Sequence, residues 1–396
     1  MVHSASLKIL ILLILANMCS SIAISIGMYV VPWYLTVGTE SPQWLAVLST
    51  IASVLVVVIS PSIGLLIDRV NRKRIIVGIT ACVLVLFAAC AFFNGTHTGI
   101  VVVLSIAYLV LQLFFAVFFI TRQALIKDIF NESYMNKANS LLEMESQASA
   151  MIASLVVIFP FKYVPTTYIF GSLCLMLLLA LIFLSLIPYT RPQREQGQEN
   201  NLRITHFDST LVSHLGLLIL SSIPFIALMT INVVLAPYFN DILNASLSSY
   251  AFFGMIYGLG AIVVSLALTH YWNGNARSRV VLFTSGYALV VFMIMCQPSV
   301  YMTVGMSFLL GIGNAGARIC GQRAILNSVK GQYIGRVFAY GQTGTLIARI
   351  AATGCLPLMF HDGYGNVWVY IFLISGLAPL CFALIYMNQR FRPTSP

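Results

Sequence analysis

The chain has 396 residues, 59% of them hydrophobic and 8% charged, where soluble domains carry roughly a quarter charged residues. A soluble core has no room for so much apolar sequence, so a soluble globular protein is excluded and the solvent is lipid. The formal net charge of +10 does not mark a nucleic-acid surface, because the bases stand singly in loops between apolar runs, as the positive-inside rule distributes them.

A helix crosses a bilayer with about 20 apolar residues. On that length the chain divides into spans near 7–33, 43–67, 75–93, 99–121, 138–160, 166–188, 211–238, 247–270, 279–297, 299–322, 336–358 and 366–388, twelve in all. The first run is too long for the apolar core of a secretory signal and ends in Pro32-Trp33-Tyr34 rather than small residues, so it reads as a span. It holds Asn17 and Tyr29 but no acid.

Spans two and three are joined by Gly64-Leu-Leu-Ile-Asp68-Arg69-Val-Asn71-Arg72-Lys73-Arg74. An acid, several bases and a turn former sit in a loop too short to be a domain. Asn71 is read as the turn residue, being tolerant of a left-handed backbone. Asp68 closes the second span, where a negative charge opposes that helix's own dipole and calls for a partner. Gln112 lies in the fourth span. Glu143 and Glu145 lie early in the fifth, about two turns inside; two residues apart on a helix, they point to different faces. A carboxylate in a drying cavity is pushed toward its protonated form and can carry a proton; the alternative is a pair of charges at a wet helix end.

The stretch 189–209 is the longest polar segment and reads as a cytoplasmic linker, separating an N-terminal bundle of six spans, 1–188, from a C-terminal one, 210–396. In the second half, Asn232, Asn314 and Gln342 add polar groups to spans, read mainly as interhelical hydrogen bonds, like Asn17, Tyr29 and Gln112. Arg349 falls near the middle of the eleventh span and is expected to face a central cavity, there to bind an anionic group or pair with a carboxylate; the alternative is a structural pair. Arg318 lies in a glycine-rich run nearer the cytoplasm, within reach of that surface by snorkelling. The eight Cys read as small packing residues, and the six His are scattered with no metal-ligating spacing, so no cofactor or metal is expected. Arg69, Arg72, Lys73, Arg74, Lys127, Arg191, Arg277, Lys330 and Arg390 fall on one side of the membrane and Lys162 on the other, which puts both termini in the cytoplasm.

The halves repeat. Leu12-Leu13-Ile14-Leu15 recurs as Leu217-Leu218-Ile219-Leu220, Pro32-Trp33-Tyr34 as Pro237-Tyr238-Phe239, and Arg72 and Arg74 as Arg277 and Arg279, at an offset of about 205. Further on, Arg122-Gln123-Ala124-Leu125 lies on Gln322-Arg323-Ala324-Ile325. Six spans repeated in one order and orientation give two parallel, pseudo-symmetric halves.

The loop from Gly64 to Arg74 resembles the signature between the second and third helices of the major facilitator superfamily of transporters, with Asn71 where the family prefers Gly. Arg122-Gln-Ala-Leu-Ile-Lys-Asp128, Lys137-Ala-Asn-Ser140 and Gly335-Arg336-Val-Phe338 look like the macrolide-efflux-type branch. The resemblance implies an all-α membrane protein of twelve transmembrane helices in two six-helix bundles. It implies a conformational latch in which Gly64, Asp68, Arg69 and Arg72 face Arg336 and the eleventh helix. It further implies a secondary transporter, not an enzyme, working by alternating access. The expectation is proton-coupled efflux of a small organic molecule, an anionic metabolite such as a carboxylate siderophore or a drug, by antiport across the cell inner membrane. Substrate or proton coupling is assigned to Arg349, Arg318, Glu143, Glu145, Asn17, Gln112 and Asn232. An importer or a lysolipid flippase is the alternative. The expected partners are the substrate, protons and the lipid bilayer; no nucleic acid is expected, and the resemblance implies a monomer.

Overall fold

The computed structural model describes residues 2–39, 41–92, 97–130, 132–158, 166–189, 209–270, 276–328, 331–361 and 363–390. Its helices are α1 (Val2–Thr39), α2 (Pro42–Arg69), α3 (Arg72–Phe92), α4 (His97–Ile129), α5 (Glu132–Ile158), α6 (Thr166–Leu186), α7 (Ser209–Pro237), α8 (Leu247–His270), α9 (Ala276–Cys296), α10 (Val300–Ser328), α11 (Gly331–Gly354), α12 (Leu356–His361) and α13 (Tyr364–Arg390). No strand occurs among the described residues. Ten of these helices are long and apolar enough to cross a membrane; α5 and α13 contribute shorter apolar stretches, Ala148–Ile158 and Tyr364–Leu377. Large apolar side chains stand in the open on their outer faces, Val58, Val85 and Leu282 among them, as lipid-facing helices require.

Each expected span has its helix, with differences that have local causes. The helix α1 runs through Pro32 to Thr39; the Thr36 hydroxyl bonds to the Pro32 carbonyl at 2.9 Å, and neighbouring helices let membrane proteins keep such prolines. The matching Pro237 ends α7, and the chain continues as a single π-helical turn, Tyr238–Ile242. There the Leu243 N–H bonds to the Tyr238 carbonyl at 3.0 Å, and Asn244 takes a left-handed φ of 46°. The fifth helix starts at Glu132, six residues before the expected span. The eleventh span breaks at Cys355 into α11 and α12.

The chain groups into two compact units, Met1–Asn200 with Ser246–Met255, and Asn201–Ala245 with Ile256–Pro396. In the first, α1 packs on α4, α5 and α6, while α3 packs on α4 and α6. In the second, α7 packs on α10, α11 and α13, while α9 packs on α10 and α13. These are the same partners in the same order, so the repetition read in the sequence reappears in the packing. Most hydroxyls in the helices bond back to a carbonyl one turn earlier, as Ser53 does to Ser49 at 2.8 Å and Thr284 to Val280 at 2.8 Å, which satisfies them where water is absent.

Candidate translocation site

In each unit one well-buried helix carries a partly exposed stripe at helical spacing. On α1 the stripe is Met18, Ser21, Ser25 and Met28; on α7 it is Ser222, Phe225, Met229 and Asn232. Around these positions, over 16–31 of α1 and 221–237 of α7, most of the other side chains are buried. Asn232 is thus an exposed side chain, where an interhelical hydrogen bond had been its main expectation.

Among the described residues of the first unit, the buried acid is Glu145. It is 7% exposed, and Ser149, one turn on, donates a hydrogen bond to its Oε1 at 2.8 Å. Because α5 begins at Glu132, Glu145 lies about 20 Å along the helix at a rise of about 1.5 Å per residue. The two turns read from sequence were counted from residue 138, and the six residues 132–137 extend the helix ahead of that point. Across on α1, Cys19 lies within electrostatic reach of Glu145. Two residues away, Asn17 is 1% exposed, and its Nδ2 has no hydrogen-bond partner among the described residues. Gln112 is half-buried on α4. Glu143 lies on α5 with its side chain outside the described residues.

In the second unit a polar cluster joins α8, α9 and α10. Asn314 donates from Nδ2 to the Tyr257 hydroxyl at 2.6 Å. The Arg318 charge, one turn along α10, acts on the same hydroxyl. Tyr287 of α9 also lies within electrostatic reach of Tyr257. Arg318 itself is exposed, and Arg349 is half-buried on α11. Close approach makes this cluster possible: a Cβ on Gly311 would fall 2.1 Å from the Tyr257 carbonyl oxygen, and one on Gly260 would fall 2.0 Å from that of Phe308.

The end of the first unit where α2 meets α3 differs from expectation. Asn71 does not take a left-handed backbone; it caps α3, its Oδ1 accepting from the Arg74 N–H at 3.3 Å. The residue that replaces the family's Gly therefore starts the next helix instead of bending the turn. Arg72, assigned to the latch, is 5% exposed and forms an ion pair with Asp128 of α4. It also donates to the Ala124 carbonyl at 2.7 Å. Tyr189 donates to the other Asp128 oxygen at 2.6 Å. Lys73 donates to the carbonyls of Ser185 and Ile187, at 2.9 and 2.7 Å, closing the C-terminus of α6. Gly64, Asp68 and Arg69 lie in the last turns of α2, and Arg336 in the second turn of α11; the side chains of these residues are outside the described ones.

Sequence reading missed Asp128, which it quoted only as part of a resemblance. An acid next to Lys127 at the C-terminal end of α4 is the signal that could have found it. It also missed Tyr257, and Tyr250 at the start of α8, whose ring lies 5.3 Å from that of Tyr29. The Tyr29 hydroxyl in turn accepts from Ser154 of α5 at 3.0 Å. The thiols of Cys82 and Cys296 are exposed instead of packed.

The sequence profile of the Major Facilitator Superfamily matches residues 13–271 and again 217–396. The chain belongs to this superfamily. As a facilitator-superfamily member it is a multi-pass membrane transporter of small molecules and not an enzyme. No curated protein matches it in sequence. Solved structures share the fold. A bacterial homologue of the iron transporter ferroportin in an inward-facing state is 16% identical, with 96% of this chain and 98% of that one aligned and a TM-score of 0.73. A D-xylose–proton symporter is 15% identical over 95% and 97% of the two chains, with a TM-score of 0.71. The nucleoside transporter NupG is 13% identical over 98% and 100%, with a TM-score of 0.66.

Proposed function

We propose that this transporter exports a small organic anion in exchange for protons, with Glu145 as the proton-carrying group. The observation that carries the proposal is the Glu145 carboxylate, withdrawn from solvent well inside α5 and steadied by Ser149. Ionisation of such a group is costly in an apolar setting and becomes favourable when the site opens to water, which is the property an exchanger needs. Asn17, whose buried amide nitrogen has no hydrogen-bond partner among the described residues, and Gln112 are the polar groups assigned to the same unit. Arg318, Arg349 and Asn232 supply the donors of the second unit and favour an anionic cargo, of which carboxylate metabolites are the chemical class. Glu143 remains a second candidate for the proton. Asp68 and Arg336 act as the inner latch that the family resemblance implies, with both termini cytoplasmic and the monomer as the working unit in the cell inner membrane.

The test is proton flux in proteoliposomes carrying a pH-sensitive dye. Export of a citrate-like carboxylate from wild-type vesicles is expected to drive counterflow of protons. Glu145→Gln is expected to keep substrate exchange while losing net movement against a gradient. Wild-type coupling in Glu145→Gln would remove Glu145 from the mechanism; the same result in Glu143→Gln as well would put the proton site elsewhere. Uptake in right-side-out vesicles that exceeds uptake in inverted ones would make the protein an importer.

A further inference from the structure

The surface of the first unit holds a groove of about 400 Å³ between α2, α3 and α4. Ile59 and Leu66 wall one side, Ile79 and Cys82 the other, and Val117 forms part of the floor. None of its lining residues comes from α1 or α5, which carry Asn17 and Glu145, so it is separate from the acid site above. One end is not apolar: Arg74 stands there, in the first turn of α3. Of the three consecutive bases in that turn, Arg72 is committed to Asp128 and Lys73 to the α6 carbonyls. Arg74 is exposed, and its guanidinium has no partner among the described residues.

The groove has the length of one leaflet. From Arg74 to Cys82 along α3 is about 12 Å at a rise of about 1.5 Å per residue, against about 15 Å for half of a hydrocarbon core roughly 30 Å thick. Its charged end lies beside the turn between α2 and α3, where the chain leaves the bilayer, and its carbon-lined end runs inward. A cation at headgroup depth over a chain-wide apolar furrow is the complement of an acidic phospholipid. Gly78 sits in the furrow, and a Cβ there would meet nothing within 4 Å. The glycine leaves an opening that no side chain among the described residues fills.

We propose that this groove binds a phospholipid with an anionic headgroup, one acyl chain lying over Gly78 and the phosphate against Arg74. The bound lipid is a fixed component of the inner leaflet, not the transported cargo. Its role rests on the membrane reading of the chain and not on the coupling role of Glu145.

Native mass spectrometry of the full-length protein tests it, after exchange into micelles with equimolar phosphatidylglycerol and phosphatidylcholine of the same chain length. Wild type is expected to retain one phosphatidylglycerol in preference to phosphatidylcholine by about fivefold, the weight of one base near an acidic headgroup. Arg74→Gln is expected to hold either lipid equally. Gly78→Leu fills the furrow without a protein clash and is expected to lose the lipid. Cys82→Phe fills it from the other end and is expected to do the same, so a folding defect in one variant does not decide the matter. Retention of phosphatidylglycerol by both filling variants overturns the proposal. So does equal retention of the two lipids by wild type, or displacement of the lipid by inorganic phosphate alone.

Discussion

At the scale of single residues, the pair Arg72–Asp128 shows how a motif base can serve its own bundle. Arg72 is buried, and its Nε has no hydrogen-bond partner among the described residues, so the Asp128 carboxylate is its main compensation. Removing one member of a buried pair costs about 3–5 kcal/mol, whereas replacing both with apolar residues is often close to neutral. Asp128→Ala is therefore expected to lower the thermal midpoint of detergent-solubilised protein by several degrees, and Arg72→Met/Asp128→Leu to recover much of the loss. Losses that simply add in the double variant would show the pair to be uncoupled. The sequence made Arg72 visible, through the bases around it, but could not tell a latch from an internal brace. That difference depends on which acid lies opposite, and Asp128 is 56 positions away on another helix. Glu145 is the reverse case. Its place beside Glu143 early in the fifth span was legible, while its burial was not, because that depends on which side chains of α5 and its neighbours close over it.

At the scale of elements, hydrophobic length located the helices because lipid demands it of every span, whatever the partners. It could not locate the break at Cys355 or the π-turn after Pro237, which follow from local backbone hydrogen bonding and not from apolar length. The glycine-rich run around Arg318 was readable in α10, but the helices it meets were not. Gly311 brings α10 against the Tyr257 carbonyl of α8, while Gly316 faces the Phe283 ring of α9. Gly311→Ala is expected to push α8 and α10 apart, break the Asn314–Tyr257 bond and cost about 1–3 kcal/mol. Gly286→Ala, whose Cβ meets nothing within 4 Å, is the matched control and is expected to be neutral or slightly stabilising. Thermal unfolding of the two variants side by side checks this; equal midpoints would contradict the tight contact.

At the scale of the whole molecule, the superfamily was legible because the repeat and the loop after α2 are both sequence features, and the two profile matches and the common packing order agree with them. The cargo was not legible, since solved structures with this fold carry titles as different as xylose, nucleoside and iron transport. Two expectations belong here. Green fluorescent protein fused after Pro396, or before Met1, is expected to fluoresce, as it does only when it folds in the cytoplasm; a dark fusion present at normal level would place that terminus outside. Asp68→Asn is expected to reduce transport at least tenfold with the protein still in the membrane, and wild-type flux in that variant would dispose of the inner latch.

The hydroxyl of Tyr189 carries a mechanical corollary. It is the last described residue before 190–208, and it is moored to the same carboxylate that holds Arg72. Lys73 secures the carbonyls just ahead of it. A displacement of the chain at Tyr189 is thus delivered past the end of α6 to Asp128 and Arg72, at the corner between α2 and α3.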